Sequence, residues 1–240
     1  MRECITVQVG QCGNQIGACF WDLVVKEHAS IAKDGLFDAS MSTFFRNVDT
    51  RYENPIDIPF GNGKEQIKFL KARAVLVDTE EGVLSSTMNG PLGSLFDETE
   101  LIKGVSGAGN NFAHGHFGYG PKYGENILES IRRATEKCDS LQSFLLFHSL
   151  GGGTGSGLGT YVLRLLEDQY PDVYRFATSV FPSSDDDVVT SPYNSVFAVS
   201  ELREHADCVF PIENQALLDI YQKIDKKKNE KQKYDSRMLR

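Results

Sequence analysis

The sequence has few of the features that would assign it at once to a familiar class of protein. No apolar run approaches the ~18 residues of a membrane span. Residues 1–8 enter an alternating strand pattern without the apolar segment of a signal peptide. The 5 cysteines form an odd set with no C-x-x-C spacing, which argues against a disulfide framework and against a zinc site. These cysteines are Cys4, Cys12, Cys19, Cys138 and Cys208. We therefore expect reduced thiols, no membrane partner and a location in the cytosol.

Positive charge is scarce except near the C-terminal end. The chain carries a net charge of −8, whereas residues 223–240 contain eight Lys or Arg against three Asp or Glu. An acidic body repels phosphates, so no nucleic-acid partner is expected. We expect residues 1–225 to form one nucleotide-binding domain and residues 226–240 to be a solvated basic segment, the start of a divergent or truncated region. Binding of that segment to an acidic partner is the alternative.

Two common phosphate-binding motifs are missing as well. There is no G-x-x-x-x-G-K-[ST], the loop that places a lysine on a terminal phosphate. There is also no G-x-G-x-x-G, the fingerprint of dinucleotide-binding enzymes, and this absence disfavours a dinucleotide-dependent oxidoreductase. Any phosphate site in this chain must therefore use backbone amides and hydroxyl groups.

Glycine is abundant and is concentrated after one apolar strand. Residues 144–149 form an apolar run that is typical of a strand covered on both faces. Gly151–Gly157 then places five glycines in seven positions, and residues 158–168 resume a helical pattern. A loop without Cβ atoms lets N–H groups converge, and the following helix adds unpaired donors and a positive dipole end. This arrangement predicts phosphate binding; the alternative is that the glycines only permit a tight turn.

Other polar residues follow predicted strands in the same way. Gln11 and Asn14 come after the first strand. Gln11 can offer its amide to a phosphate oxygen or to a metal-bound water, and Asn14 can do the same or cap the helix start. Asp78 and Glu80 come after a buried strand over residues 72–77, where they can contact Mg²⁺ or cap the next helix. Because ligands of open α/β sheets bind at the carboxyl ends of strands, we expect these loops to share one site.

The alternation of strands and helices predicts an α/β fold, a Rossmann-like doubly wound parallel sheet with helices on both faces. Residues 29–71 have no sustained period and are expected to be a long surface excursion. His114 and His116 lack a third ligand at suitable spacing, so they are expected at the surface rather than in a metal site. The helix after residue 10 is expected to place apolar side chains on one stripe. These are Ile16, Cys19, Phe20, Leu23 and Val24.

Several motifs together resemble the tubulin family. Gly151–Gly157 reads G-G-G-T-G-S-G, identical to the glycine-rich motif of tubulins. Further segments resemble tubulin segments in the same order, namely Gly10–Gly17, Val77–Asp78, Ser106–Asn111 and Ser191–Asn194. The resemblance covers residues 1 to about 222. Within the family the chain looks most like epsilon-tubulin, the centriole and basal-body member. The segments concerned are Phe44–Arg51, Asp185–Asp187 and Glu204–Cys208.

The resemblance implies a site for GTP or GDP with Mg²⁺, with Asp78 and Glu80 as the metal contacts. The implied nucleotide contacts are Gln11, Cys12, Ala108, Gly109, Asn110, Ser149, Gly152, Gly153, Thr154, Gly155, Asp187, Asn214 and Tyr234. Within this set Asp187 matches a ribose contact, Asn214 matches a residue on the guanine edge, and Tyr234 takes the place of a tyrosine that stacks on guanine. Ser191 stands where the family has a glutamate beside the sugar.

The resemblance also implies a role. It is that of a structural subunit of the microtubule cytoskeleton, associated with centrioles or basal bodies and with other tubulin subunits or centriolar proteins as partners. In tubulins, hydrolysis of GTP requires an acid from the neighbouring subunit, so no catalytic residue is assigned in this chain. The alternative is a structural protein that binds GTP without turnover. Since the chain stops where a tubulin enters its central helix, we expect a fragment or a truncated product.

Overall fold

The computed structural model describes residues 2–31, 39–52, 55–60, 67–183, 186 and 188–225. The strands are β1 (Glu3–Val9), β2 (Phe45–Asp49), β3 (Ile56–Ile58), β4 (Leu70–Ala72), β5 (Ala74–Asp78), β6 (Leu101–Lys103), β7 (Leu141–Ser149), β8 (Tyr174–Phe181) and β9 (Cys208–Glu213). The helices are α1 (Gly10–Ile31), α2 (Glu81–Met88), α3 (Gly120–Glu136), α4 (Gly159–Gln169) and α5 (Ser191–His205). Residues 214–225, here α6, are also helical. Two π-helical turns, His114–Tyr119 and Thr154–Leu158, precede α3 and α4.

The main sheet is parallel throughout, with strand order β6-β5-β1-β7-β8-β9. Alternate residues of β5 face different layers: Val75 and Val77 join a core with α3, α4 and α5, whereas Ala74 and Leu76 join a second core with α1 and α2. Because both faces are covered, the strands carry apolar residues on both sides. The predicted Rossmann-like parallel sheet with helices on both faces is confirmed.

The strand order places a switch point beside β1. The chain leaves β1 for β5 and β6 on one side, and then returns to β7 on the other side of β1. At such a point the loops at the carboxyl ends of neighbouring strands diverge and leave a crevice. The crevice lies at the ends of β1 and β7, where Gly10 and the glycine-rich turn follow.

The surface excursion expected over residues 29–71 is wrong in part. β2 pairs antiparallel with β3 and β4 in a separate sheet, and Phe45 of β2 is fully buried against Trp21 of α1. The strand expected over residues 72–77 is divided between β4 and β5, which belong to different sheets. Strands of three to five residues are too short to show a period in the sequence.

The expected apolar stripe of α1 is wrong in part, although Phe20 and Val24 do pack, partly buried, against the second core. The buried residues of this helix are Gly10, Gly13, Asn14, Gly17 and Trp21, whereas Leu23 is 65% exposed. Glycines on this face let the helix backbone approach the sheet, since a Cβ on Gly13 would collide with the carbonyl oxygen of Phe147 in β7. A close backbone approach to the sheet therefore accompanies the apolar packing of Phe20, Trp21 and Val24 in this helix.

His116 was expected at the surface and is instead buried. Its ring stacks on Phe112 with 5.2 Å between ring centroids, and its Nδ1 lies 3.2 Å from Oγ1 of Thr160. His114 is exposed, as expected. Among the described residues, every helix is too short or too polar to cross a bilayer.

Candidate nucleotide-binding site

A cavity of about 650 Å³ opens at the carboxyl ends of β1, β5, β6 and β7. It is lined by Gln11, Cys12, Gln15, Asp78, Glu80, Gly82, Val83, Gly107, Ala108, Gly109, Asn110, Ser149, Gly152, Gly153, Thr154 and Gly155. The structure thus brings together all the predicted site residues except three. Asn214 is exposed at the start of α6 and does not line this cavity, whereas Asp187 and Tyr234 lie outside the described residues.

The glycine-rich turn forms one wall of the cavity. The chain leaves β7 at Ser149, turns through Gly151–Gly153, and enters the π-helical turn that continues into α4. The first N–H groups of this helical stretch therefore face the cavity with the positive end of its dipole. A Cβ on Gly153 would lie 2.6 Å from the amide nitrogen of Asn111, so a glycine lets the turn contact the loop after β6.

The start of α1 forms a second wall, directly against the first. Gly10 has φ +76°, and a Cβ at this position would lie 3.1 Å from the amide nitrogen of Gly155. Gln11 and Cys12 follow in the first turn of α1, and burial raises the pKa of the Cys12 thiol, so the thiol is protonated at neutral pH. Two helix N-termini consequently converge on one cavity, an arrangement that favours anions.

Asn14 supports this wall rather than contacting the cavity. Its Nδ2 donates to the carbonyl oxygens of Gly10 at 2.9 Å and Val77 at 3.1 Å. The side chain is fully buried and joins the turn after β1 to the end of β5. The structure therefore answers the question that the sequence left open for Asn14, because its amide donors serve the backbone.

The two acids occupy different environments on the third wall. Asp78 is 4% exposed, its Oδ1 accepts from the Glu80 amide at 3.3 Å, and its Oδ2 has no hydrogen-bond partner. Burial, opposed by hydrogen bonds from the amides of Glu80 and Thr79 and reinforced by the Glu80 charge, raises the pKa of Asp78 to about 6. Glu80 occupies the N-cap of α2 without a side-chain capping bond, and its carboxylate packs against Gly107. Helix capping thus does not account for these acids.

The charge of the cavity wall is negative. Asp78 and Glu80 are acidic, and no Lys or Arg occurs among the described residues that line it. No group of three or more His, Cys, Asp or Glu side chains suited to a metal ion occurs within the described part of the chain. A cation held by Asp78 and Glu80 would therefore take its other ligands from water or from a bound phosphate, as Mg²⁺ commonly does.

Two sets of side-chain contacts support the glycine-rich turn, and neither was predicted from the sequence. Oγ1 of Thr79 lies 2.8 Å from Oγ1 of Thr154. Nδ1 of His148 lies 2.9 Å from the Gly155 carbonyl oxygen, and Nε2 lies 2.7 Å from Oγ of Ser179. His148 is fully buried, which lowers its pKa to about 4, so Nδ1–H of the neutral ring donates to Gly155. The available signal was a polar residue at the end of an apolar strand.

The loop after β8 supplies a further acid. Oγ of Ser191 donates to Oδ2 of Asp186 at 2.6 Å, and this carboxylate would lie 3.2 Å from a Cβ on Gly151. Ser191 thus holds a carboxylate beside the glycine-rich turn. The cavity lining also includes Gln15, Gly82, Val83 and Gly107, which the sequence analysis did not select; each lies within four residues of a selected one.

Comparison with known proteins agrees with this geometry. A family model described as Tubulin/FtsZ family, GTPase domain, matches residues 3–222. The chain is 56% identical over 229 residues to the tubulin epsilon chains of Mus musculus and Homo sapiens, covering 94% of this chain and 47% of each relative. It is 42% identical over 221 residues to the human tubulin beta-1 chain, covering 92% of this chain and 47% of that relative. The chain thus spans about half the length of the curated relatives it matches.

Proposed function

The chain belongs to the Tubulin/FtsZ family, and from this premise we propose that it binds a guanine nucleotide together with Mg²⁺ in the cavity at the ends of β1, β5, β6 and β7. One observation carries the proposal: two helix N-termini and a glycine-rich turn converge on a cavity whose charged lining consists of two acids. Backbone amides attract phosphate oxygens, but the acids repel them. A divalent cation between the acids and the phosphates would remove this repulsion.

The phosphates are assigned to the amide-rich walls. The N–H groups and small side chains of Gly152–Gly155 cradle them from one side, and Gln11 and Cys12 approach from the other. Ala108, Gly109 and Asn110 complete the enclosure. The absence of bulky side chains from these loops supports this assignment, because a phosphate must approach the backbone closely to be bound by its amides.

Asp78 and Glu80 are assigned to Mg²⁺. The unpaired, buried Oδ2 of Asp78 supports this, because a buried carboxylate oxygen without a donor gains most from a cation. When bound, Mg²⁺ would neutralise charge on the phosphates and orient them. Mg²⁺ is usually bound by few carboxylates, and its remaining ligands are water and phosphate.

The base and the sugar are assigned by resemblance. Asn214 offers an amide that both donates and accepts, as a guanine edge requires. Asp187 and Tyr234 are proposed for the ribose and for stacking on the base. Asp186, held by Ser191 beside the glycine-rich turn, supplies a second carboxylate in this region.

For turnover, we propose that an acid from a neighbouring subunit completes the site. The acids that line the cavity are Asp78 and Glu80, and both are assigned to the metal. Binding without turnover is the alternative function. It is favoured by the same observation, namely that both acids of the cavity lining are assigned to the metal. Single-turnover hydrolysis measured across a protein concentration series separates the two: a rate that rises with assembly supports the shared site, and hydrolysis by a monomer contradicts it.

In the cell, we propose a structural subunit of the microtubule cytoskeleton in the cytoplasm, located at centrioles or basal bodies. Its partners would be other tubulin subunits or centriolar proteins. The 56% identity to proteins named tubulin epsilon chain, against 42% to a tubulin beta-1 chain, supports this branch of the family. Fluorescent tagging tests it, and a signal along all microtubules without enrichment at centrioles would contradict it.

The nucleotide assignment is tested by isothermal titration with GTP and with ATP, each in Mg²⁺ and in EDTA. We expect a clear preference for GTP and a loss of affinity in EDTA. Equal affinity for GTP and ATP would refute the guanine assignment. Absence of binding for both would refute the site.

A further inference from the structure

Asn194, in the first turn of α5, joins two loops of the cavity that are distant in sequence. Its Nδ2 donates to the carbonyl oxygens of Asn110 at 2.9 Å and Gly151 at 2.8 Å, and its Oδ1 accepts from the Phe112 amide at 2.9 Å. The side chain is 3% exposed and does not line the cavity. Its amide groups are therefore engaged by the backbone of these loops and, at 3.5 Å, by Oγ1 of Thr190, rather than directed at a ligand.

The loop that Asn194 holds is in a strained conformation. Asn110 has φ +52°, and among the described residues no other non-glycine residue has a positive φ. Its neighbour Gly109 has φ +58°. Such conformations persist when the surroundings hold them in place. Here the carbonyl oxygen of Asn110 accepts two hydrogen bonds, from Nδ2 of Asn194 and from Oγ1 of Thr190 at 2.7 Å.

The same loop lies beside the acids assigned to Mg²⁺. Gly107 packs against the Glu80 carboxylate, and Gly109 and Asn110 follow along the cavity wall. Mg²⁺ commonly bridges the β- and γ-phosphates of a nucleoside triphosphate. A shift of the Asn110 loop is therefore expected to change the affinity for a triphosphate more than the affinity for a diphosphate.

We propose that Asn194 is a positioning residue that clamps the Asn110 loop to the glycine-rich turn and thereby sets the preference of the cavity for a nucleoside triphosphate over the diphosphate. The inference rests on the proposed function for its ligand. Its structural part, the clamp itself, does not depend on any ligand. Thr190 contributes to the same clamp from the exposed N-cap of α5.

The test compares two substitutions that are chemically alike, Asn194→Leu and Asn47→Leu. Asn47 lies in β2, is 4% exposed, and accepts a hydrogen bond from the Lys68 amide at 3.0 Å, far in the fold from this cavity. Both variants remove a buried amide of the same size. The affinities for GTP and GDP are measured by titration in Mg²⁺, and amide hydrogen exchange over residues 108–112 is measured without nucleotide.

For Asn194→Leu we expect GTP affinity to fall by about tenfold, GDP affinity by less than about threefold, and exchange over residues 108–112 to accelerate. For Asn47→Leu we expect the ratio of GTP to GDP affinity and the exchange of this loop to stay as in the unsubstituted chain. If Asn194→Leu does not fold, Thr190→Val carries the test, since it removes one exposed hydroxyl from the clamp and should shift the ratio in the same direction.

Two results would overturn the proposal. An unchanged ratio of GTP to GDP affinity in Asn194→Leu, or in Thr190→Val where that variant carries the test, means that the clamp does not set the preference. Unchanged exchange over residues 108–112 means that there is no clamp. If the unsubstituted chain binds neither nucleotide, the proposed function fails instead, and the exchange measurement alone decides on the clamp.

Discussion

Replacing Thr154 by valine tests the glycine-rich turn most directly, because valine has nearly the same shape and lacks the hydroxyl group. Thr154 lines the cavity and is half-buried, and its Oγ1 lies 2.8 Å from Oγ1 of Thr79. The hydroxyl can donate to one partner while it accepts from another. If Thr79 donates to Thr154, the Thr154 proton is free for a phosphate oxygen.

The expected loss of GTP affinity follows from one hydrogen bond to a charged oxygen. Such a bond contributes about 1.5 to 3 kcal/mol, so its loss should raise the dissociation constant for GTP roughly ten- to hundredfold. The folded state should also lose about 1 kcal/mol, because Thr79 is 1% exposed and its hydroxyl would lose its partner. Affinity should therefore suffer more than stability.

Thr79→Val is the matched control. It removes the same hydrogen bond between the two threonines but leaves the Thr154 hydroxyl in the cavity, where water or phosphate can reach it. We expect GTP affinity within about threefold of the unsubstituted chain for Thr79→Val, by titration in Mg²⁺. Equal losses of affinity in the two variants would refute a direct phosphate contact, because the effect would then come from the threonine pair. Unaltered affinity in Thr154→Val would remove Thr154 from the site.

Three further predictions concern the walls and supports of the cavity. Asp78→Asn should raise the unfolding free energy of the nucleotide-free protein at pH 7 by about 1 to 2 kcal/mol, because it removes a desolvated charge with a pKa of about 6. The same variant should abolish the Mg²⁺ dependence of GTP binding. A less stable variant with intact Mg²⁺ dependence would contradict both the desolvated charge and the metal contact assigned to Asp78. The stability advantage of the unsubstituted chain over His148→Gln, followed by urea unfolding, should shrink by about 3 kcal/mol as the pH falls from about 6.5 to about 4, because the unfolded histidine takes up a proton there and the buried one does not. A difference that stays constant would mean that His148 takes up its proton over the same pH range in the folded and unfolded states. Gly10→Ala should lower the free energy of unfolding by about 1 to 2 kcal/mol, because Gly10 has φ +76°. Gly82→Ala, in α2 with no atom within 4 Å of the added Cβ, should leave the stability unchanged or raise it. Equal effects of the two substitutions would show that the conformation of Gly10 is not required.

Resemblance to a known family and local pattern together located most of the candidate site. Most cavity residues lie within a few residues of a strand end. They belong to the glycine-rich turn, the start of α1, the acids at the end of β5 and the loop after β6. Because parallel strands end at the same edge of a sheet, finding the strands was enough to expect these loops near one another. The proposed ligand, a guanine nucleotide, came from the family resemblance, since glycine-rich loops bind the phosphate groups of many different ligands.

Local patterns alone were thus enough to predict the parallel sheet and the loops that face the cavity, because apolar strands and glycine-rich turns are visible in short stretches of sequence. Which buried groups hold those loops became clear only from the packing of the folded chain. Asn194 is 84 residues from Asn110, and Thr79 is 75 residues from Thr154, so no local pattern connects either pair. The glycine face of α1 and the short strands of the second sheet were likewise decided by packing. A helix that presents glycines is read correctly only when the backbone against which it packs is known.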